Sequence, residues 1–441
     1  MSLAKYDKYK DSGVDWLGEI PEHWEVRRIK DVVKVNPSTL KNVKNQNSLI
    51  EFLPMSNVNE ITGTIKEYNF EPYENIKQGY TAFKNEDVLF AKITPCMENG
   101  NCVVVDGLKN NLGFGSTEFI VFRTDRIKLT NKHIFQFLRN AKFLKKAENF
   151  MIGAAGQRRI SSEYLKIHPI AVPPLPEQTT IATYLDRKTS AIDKKTTLLE
   201  QKTTHYLQLH KSLINETVCR GLDKNVKLKD SGIEWIGEIP EHWEVKRLKD
   251  VCGFINRGSS PNYDETGSHK VVNQATYSKG FWDESSLRFT QNLEIKPRGL
   301  LKEDDILIAS TGGGVLGKVF FFNKKESDYI ADSHITILRD TQKSYFSKYV
   351  YYYFSEKFKL INDILAQGST NQTELQKDWL LAFSICIPPK QEQIAIANYL
   401  DEKTQKIDSI VSNIRSQIET LKELRKTLIN DVVTGKIKVT E

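Results

Sequence analysis

A glycine-rich stretch is the part of this 441-residue sequence that most resembles a catalytic motif. Residues 312–319 read GGGVLGKV, which matches the dinucleotide pattern G-x-G-x-x-G and differs by one residue from a phosphate-binding P-loop. A P-loop requires Ser or Thr where Val319 stands, to hold magnesium, and then a helix that aims its amides at the phosphate. The β-forming residues 320–322 follow instead. We therefore favour a loop between strands whose backbone approaches a DNA phosphate or groove, and keep as alternative a nucleotide- or DNA-acting enzyme using residues 312–318.

Other residues of catalytic type are scattered along the chain. The eight histidines form no H-E-x-x-H motif, and His23 and His242 lie in a repeated segment, where packing explains them better. The Asn/Asp-Pro-Pro-aromatic tetrapeptide that amino-methyltransferases use to hold a flipped base is missing, because residues 172–175 read VPPL and residues 387–390 read IPPK. The adjacent carboxylates at 304–305 fall at a predicted turn, which they are expected to stabilise. We predict no catalytic residue.

Composition indicates a globular protein with room for two or three domains. The odd number of cysteines and the lack of a C-x-x-C pair predict free thiols in a reducing cytoplasm, with no disulfides and no metal site. No apolar run approaches the roughly 20 residues of a membrane span, and the first residues do not form a signal peptide. The net charge of +7 is compatible with nucleic-acid binding without proving it.

Two long helices with a seven-residue apolar repeat dominate the sequence, over residues 176–220 and 390–434. A repeat sustained over four heptads is typical of a coiled coil, because it keeps one seam facing a partner helix. Double prolines precede both helices, and Gly221 and Gly435 are expected to end them. The predicted seam residues are Leu185, Ile192, Leu199, Tyr206 and Leu213 in the first helix, and Leu400, Ile407, Ile414, Leu421 and Leu428 in the second.

The repeat extends beyond the long helices to the segments that precede each of them. Residues 11–26 and 230–245 are nearly identical, and both read G-E-I-P-E-H-W-E-V at their ends. Short β-branched and aromatic runs at 88–90, 103–105 and 119–123 have counterparts at 306–308, 319–322 and 335–339, which predicts strands. Helices are predicted at 132–149 and 347–365. The fold class is therefore α+β: two mixed-sheet domains with few helices, joined by two long helices, with an internal pseudo-two-fold repeat.

The loops of the two domains are rich in residues that can bind bases and phosphates. Asn and Gln can pair with adenine, Arg and Lys with guanine, and the others can hold phosphates. The candidates in the first domain are Lys41, Lys44, Lys92, Thr94, Asn99, Asn101, Lys109, Asn111, Gln157, Arg158 and Arg159. Those in the second are Asn256, Arg257, Ser259, Asn262, Tyr263, Asn273, Gln274, Tyr277, Lys279, Ser310, Thr311, Gly313, Lys318, Ser369, Thr370, Asn371 and Gln372.

With the repeated openings, the P-P-x-x-E-Q segments and the Y-L-D helices, the chain resembles the specificity subunit of type I restriction–modification systems. The motifs that carry the resemblance are Pro173-Pro174, Glu177-Gln178 and Tyr184-Leu185-Asp186, with Pro388-Pro389, Glu392-Gln393 and Tyr399-Leu400-Asp401 as their counterparts. The resemblance implies a non-catalytic DNA-binding subunit whose two target recognition domains, residues 1–172 and 222–387, read the halves of a split site. The helical regions 173–221 and 388–441 would be the spacers.

The resemblance also implies the partners: double-stranded DNA, two modification (methyltransferase) subunits and restriction/translocase subunits, with no membrane. S-adenosylmethionine, ATP and Mg are expected only in those subunits, so this chain needs no cofactor. If the long helices pair, they must run antiparallel, with Leu185 near Leu428, Leu199 near Ile414 and Leu213 near Leu400. The first seam then spans roughly 42 Å, or about one turn of DNA.

Overall fold

The computed structural model describes residues 4–39, 43, 45–154, 156–291, 297–312, 314–357, 360–361, 366–367 and 373–439. The chain divides into two compact units. Unit 1 comprises residues 1–201 and 414–441, and unit 2 comprises residues 202–413. Both divisions fall inside long helices, so each unit contains part of each helix. None of the described helices is both long and apolar enough to cross a membrane.

Unit 1 is built on two four-stranded sheets. One has the antiparallel order β11-β10-β13-β4, and the other has the order β8-β5-β12-β9 with β5 and β12 parallel. The strands β1 to β14 are Tyr9–Asp11, Glu19–Pro21, Glu25–Arg28, Val33–Val35, Leu49–Leu53, Val58–Asn59, Thr64–Ile65, Asn69–Pro72, Thr81–Phe83, Val88–Ala91, Cys102–Val104, Gly113–Gly115, Phe119–Thr124 and Pro169–Val172. The helices α1 to α6 are Ile29–Val32, Tyr73–Ile76, Asn131–Leu138, Ala141–Glu148, Ser162–Ile167 and Leu175–Arg220.

Unit 2 repeats the first of these sheets with the order β22-β21-β24-β18, and adds a smaller sheet β20-β19-β23. The strands β15 to β27 are Leu228–Asp230, Glu238–Pro240, Glu244–Arg247, Phe254–Arg257, His269–Val272, Arg288–Thr290, Asp305–Ala309, Val319–Phe322, Tyr329–Ala331, Ile335–Arg339, Ala366–Gln367, Glu374–Leu375 and Ser384–Ile387. The helices α7 to α10 are Leu248–Val251, Ser347–Ser355, Lys377–Ala382 and Lys390–Val433. The predicted α+β class and the internal repeat are confirmed.

Each unit pairs its part of α6 with its part of α10 in antiparallel fashion. In unit 1, Leu185 shares a core cluster with Leu428 and Val432, and Asp193, further along α6, binds Arg425, earlier in α10. In unit 2, Leu213 packs against the cluster that contains Leu400. The predicted register agrees with these two pairs, and the pairing of Leu199 with Ile414 stays a prediction.

One predicted helix in unit 1 is instead two. The expected helix at 132–149 is interrupted at Asn140, whose side chain accepts hydrogen bonds from the N–H groups of Lys142 and Phe143 and so begins a new helix. In unit 2 the predicted helix at 347–365 ends at Ser355. Of its remaining predicted length, residues 358–359 and 362–365 lie outside the described residues. Both long helices end as expected, at Gly221 with φ +75° and Gly435 with φ +73°.

Candidate nucleic-acid interface

The sheets β11-β10-β13-β4 of unit 1 and β22-β21-β24-β18 of unit 2 are called the main sheets below. Two loops meet at one end of the main sheet in unit 1. They are residues 92–101, which follow β10, and residues 152–160, which precede α5; we call them the paired loops of unit 1. The N–H of Thr94 donates to the carbonyl of Arg158 at 3.0 Å, and the N–H of Ile160 donates to the carbonyl of Lys92 at 2.9 Å. Two main-chain bonds therefore fix the position of these loops.

Unit 2 repeats this arrangement with different residues. Its paired loops are residues 310–318, after β21, and residues 373–375, around β26. Gly312 N–H donates to the Thr373 carbonyl at 2.9 Å, and Leu375 N–H donates to the Ser310 carbonyl at 2.9 Å. The backbone frame is thus conserved within the chain while its side chains change.

In unit 1 the paired loops carry two arginines bound to glutamates. Arg158 Nη2 lies 2.6 Å from Glu98 Oε1. Arg159 Nη2 lies 2.9 Å from Glu118 Oε1, and its Nε lies 3.1 Å from both carboxylate oxygens of Glu118. Gln157 and Arg159 are exposed, whereas Arg158 is partly buried. The arrangement presents oriented donors and acceptors to solvent.

In unit 2 the same region carries an amide, a hydroxyl and an imidazole. Gln274 Nε2 donates to Thr311 Oγ1 at 3.0 Å and to the His334 carbonyl at 2.8 Å. Thr311 Oγ1 lies 2.9 Å from His334 Nδ1. Arg257 forms an ion pair with Glu374 and donates to the carbonyl of Leu375, the last residue of β26. This polar cluster has a different hydrogen-bonding pattern from that of unit 1.

The glycine-rich loop of unit 2 does not form a phosphate site of the P-loop kind. It leads directly into β22, so no helix N-terminus follows it. Lys318 Nζ donates to the Ser278 carbonyl at 2.6 Å, where a P-loop lysine would reach a phosphate. The stretch is a connection between strands, and the enzyme alternative has no support.

Five candidates have structural roles, and four of them are buried. Ser310 is fully buried and bonds Thr336, and Asn273 caps a short 3₁₀ turn and donates to the Ser286 carbonyl. The others in this group are Asn101, Ser259 and Tyr277, all nearly inaccessible, and burial raises the pKa of Tyr277 well above its ordinary value. We leave these five residues out of the interface proposed below.

The remaining described candidates are accessible to varying degrees. Asn99 donates to Glu60, Asn256 accepts from Lys377, and Lys279 forms an ion pair with Asp283. Lys109 lies over the ring of Phe70, Asn111 accepts from the Asn85 N–H, Tyr263 faces Arg288, and Asn262 is exposed. Lys92 is partly buried. Lys41, Lys44, Gly313, Ser369, Thr370, Asn371 and Gln372 lie outside the described residues.

Sequence reasoning missed the acceptors that orient these donors. Glu118 and His334 each lie just before the matching strands β13 and β24, at aligned positions of the repeat. The same position of the repeat holds Glu in one copy and His in the other, and this change of residue type was the signal that could have identified them. Asp332 was missed too: it is almost fully buried, and burial raises its pKa to about 6.

The repeated motifs join each domain to its long helix. Glu177 accepts hydrogen bonds from Trp24 Nε1 at 3.1 Å and from His23 Nε2 at 2.9 Å. Glu392 does the same for Trp243 at 2.8 Å. The neighbouring Gln178 accepts from the Thr130 N–H and donates to two carbonyls. These residues have structural roles, and the tryptophan side chains are buried.

The Y-L-D motif provides a second attachment. Asp186 accepts from Lys132 Nζ at 2.9 Å and from Gln136 at 3.2 Å, so α3 is held against α6. In unit 2, Asp401 is bound by Lys348 and Tyr352 of α8 in the same way. Among the described residues, no group of three or more His, Cys, Asp or Glu could hold a metal ion.

A buried ion pair recurs inside each main sheet. Asp87 binds Arg123 with a closest distance of 2.6 Å, and Asp305 binds Arg339 at the same distance. Both aspartates also accept a backbone N–H three residues earlier, which stabilises the turn as expected for residues 304–305. The pairs belong to the frame of the sheets.

Comparison with known proteins decides the family. A family model described as the type I restriction modification DNA specificity domain matches residues 21–204 and again residues 240–420. The chain belongs to the type I restriction–modification specificity family. The two matches include both copies of the internal repeat.

Individual relatives agree with this assignment. The type I restriction enzyme EcoAI specificity subunit of Escherichia coli is 31% identical over 227 residues, which cover 52% of this chain and 37% of that protein. The match thus spans little more than a third of that relative. The putative type I restriction enzyme MjaX specificity subunit of Methanocaldococcus jannaschii is 27% identical over 99% of both chains.

Solved structures share the fold. A chain from a study of complex assembly and conformational transition in a type I R-M system has a TM-score of 0.75 at 18% identity, covering 94% of this chain and 98% of that one. The HsdS subunit from Thermoanaerobacter tengcongensis has a TM-score of 0.57 at 18% identity, covering 95% and 98%.

Proposed function

We propose that this chain is a non-catalytic subunit that reads a two-part DNA sequence for a type I restriction–modification enzyme in the cytoplasm. Residues 1–172 and 222–387 are the two target recognition domains, and regions 173–221 and 388–441 contain the long helices that separate them. Two modification subunits and the restriction subunits dock on it. These partners supply S-adenosylmethionine, ATP and Mg chemistry.

The observation that carries this proposal is that the two units share the same structural contacts but carry different polar side chains on their loops. Glu177 and Glu392 bind equivalent tryptophans, and the main-chain bonds of the paired loops are the same in both units. The side chains on those loops make different contacts: Arg159 donates to Glu118 in unit 1, whereas Thr311 accepts from Gln274 in unit 2. A frame repeated with different donors and acceptors suits two domains that read different sequences.

Side chains on the paired loops and next to them have suitable chemistry for base edges. The exposed guanidinium of Arg159 can donate two parallel hydrogen bonds to guanine. The partly buried Gln274, whose two amide N–H bonds are both engaged, can accept through Oε1 from an exocyclic base amino group. Glu118 and His334 hold these side chains in place before DNA arrives. Preorganised donors lose less rotamer freedom on binding, which favours specificity over general adhesion.

The proposal is tested by mapping methylated bases in a host that carries this chain and its modification subunit. Arg159→Ala should relax or abolish one half of the methylated motif, and Gln274→Ala the other half. The loss of one bidentate contact is worth about 1–3 kcal/mol of discrimination. Arg27→Ala is the matched control, since Arg27 is also exposed and ion-paired, with Glu25.

Two results would overturn the proposal. One is an unchanged motif in both variants together with normal complex assembly, which would place base reading elsewhere. The other is methylation or cleavage of DNA by the purified chain alone with S-adenosylmethionine, ATP and magnesium. The second result would restore the enzyme alternative.

A further inference from the structure

The two units differ in what lies between the recognition domain and the helix pair. In unit 1 a turn at residues 59–63 lies there. Arg139, at the end of α3, donates to the carbonyls of Glu60 at 3.1 Å and Thr62 at 3.0 Å. Arg425, on α10, donates to the Ile61 carbonyl at 2.7 Å. Two guanidinium groups thus hold this turn against the helices.

Unit 2 has an open groove at the corresponding place, with a volume of about 1000 Å³. The offset of 216 residues that relates Lys132 to Lys348 also relates Arg139 to Ser355, which lines the groove. The offset of 215 residues between the long helices relates Arg425 to His210, which lines it too. The residues that would hold a turn from the same chain have therefore been replaced.

The loop of unit 2 that corresponds to the turn at residues 59–63 contains Ser278 and Trp282, and different contacts hold it in place. Ser278 accepts from Lys318, and Trp282 packs with ring centroids 5.1 Å from Phe320 and 5.9 Å from Tyr329. These contacts attach the loop to the sheets of unit 2. Its counterpart in unit 1 is attached to the helix pair instead, because Arg425 lies on α10.

The walls of the groove define what fits into it. One wall is aromatic, formed by the partly buried Phe321 and Tyr351. On the other side His210 lines the groove 3.9 Å from Asp408, and Glu356, next to the lining residue Ser355, lies 3.5 Å from the same imidazole. Lys348 also lines the groove, but its charge is paired with that of Asp401. Where unit 1 supplies two arginines, unit 2 presents excess negative charge. An occupant must bring its own cationic donor.

We propose that this groove is a docking site for a turn of a modification subunit, and this inference rests on the function proposed above. The turn carries a Lys or Arg side chain that reaches Asp408, and an apolar side chain that packs on Phe321 and Tyr351. The turn at residues 59–63, held by Arg139 and Arg425, is the internal precedent for a turn in this position. The two modification subunits therefore bind inequivalent sites.

The test uses the full chain and its modification subunit, titrated and followed by native mass spectrometry. Ser355→Arg places in the groove the residue type that unit 1 has at that position. It should weaken one of the two binding steps at least tenfold, so that complexes with one modification subunit accumulate. Ser416→Arg is the control, because Ser416 is an exposed serine of α10 that does not line the groove.

Hydrogen exchange on the wild-type chain gives a second measurement that needs no variant. Amides of residues 348–355 and 405–412 should become protected when the modification subunit is added. Unchanged binding of Ser355→Arg, or no added protection, would overturn the inference while leaving the proposed function standing. Protection that requires the restriction subunit, or a second copy of this chain, would also overturn it. If the wild type binds no modification subunit at all, the proposed function itself fails.

Discussion

Mild acid should destabilise unit 1 through one buried histidine. His133 is fully buried in α3, and its Nε2 lies 3.2 Å from the carbonyl oxygen of Ala171. A carbonyl can only accept, so Nε2 carries the proton of the neutral ring. The other nitrogen, Nδ1, is buried with no hydrogen-bond partner among the described residues. A second proton would have to go there, and burial accordingly lowers the pKa of His133 to about 4.

The direction of the pH effect follows from proton binding. Between pH 6.5 and 4 the unfolded chain binds a proton at His133 and the folded chain does not, so stability falls as the pH falls through this window. At pH 5 the difference is worth about 2 kcal/mol. His168 acts in the same direction, because burial lowers its pKa to about 4 as well.

Unit 2 provides an internal comparison. The residue that corresponds to His133 is Tyr349, whose hydroxyl donates to the carbonyls of Val218 and Cys386 at 2.9 Å. This tyrosine stays neutral throughout the acid range. Unit 2 also contains Asp332, whose raised pKa of about 6 makes the folded state bind a proton more readily and so favours folding below that pH. As the pH falls, the free energy of opening should therefore decrease more in unit 1 than in unit 2.

Hydrogen exchange at pH 7.5 and pH 5.0, corrected for the intrinsic rates, measures the opening free energy of β10 and β21 separately. His133→Tyr should recover about 2 kcal/mol of the loss in β10 at pH 5 and leave β21 unchanged. His205→Tyr is the control, since His205 is exposed. If β10 in His133→Tyr keeps the pH slope of the wild type, the assignment to this histidine is wrong.

Three further substitutions test structural contacts described above. Arg339→Met leaves the carboxylate of Asp305 buried without its partner, and should lower the opening free energy of β21 by about 3–5 kcal/mol in hydrogen exchange. Glu392→Gln weakens the acceptor of the Trp243 indole and should cost about 1–2 kcal/mol in urea denaturation followed by tryptophan fluorescence. Gly435→Ala combines a strained φ with a Cβ that would overlap a neighbouring proline ring, and should cost at least about 2 kcal/mol in the same assay.

Each of these has a matched control. Arg288→Met removes an exposed arginine that lies over the ring of Tyr263, and should change little. Glu238→Gln alters an exposed carboxylate 3.5 Å from Arg220. Gly221→Ala has the same positive φ, but its Cβ would meet only the Trp243 ring, at 3.1 Å or more, so the cost should be smaller than at Gly435. Equal losses in substitution and control would contradict the corresponding argument.

The long-range architecture could be predicted because its signals are periodic or repeated. A heptad pattern and two glycines located both long helices, and aligned apolar runs located three of the four strands of each main sheet. The division at Asn140 was missed because a single capping residue inside an amphipathic stretch is a weak signal. Its effect depends on whether the side chain finds backbone N–H groups, which the tertiary structure determines.

The candidate interface could be predicted only in part. Polar residue types in loops indicated the paired loops, yet type alone does not distinguish the exposed Arg159 from the buried Ser310 or Asn101. Those two residues are buried because they directly adjoin strands of the sheet. The partners Glu118 and His334 were missed for the opposite reason, since single residues before strands carry no motif.

The ion pair between Asp193 and Arg425 also prevents α6 and α10 from sliding past one another in unit 1. Both side chains are about 15% exposed. A slip of one heptad would set the aspartate against Ile418 or Val432 and strand its charge, at a cost of several kcal/mol. Any lengthening of α6 within this pairing must therefore be matched in α10.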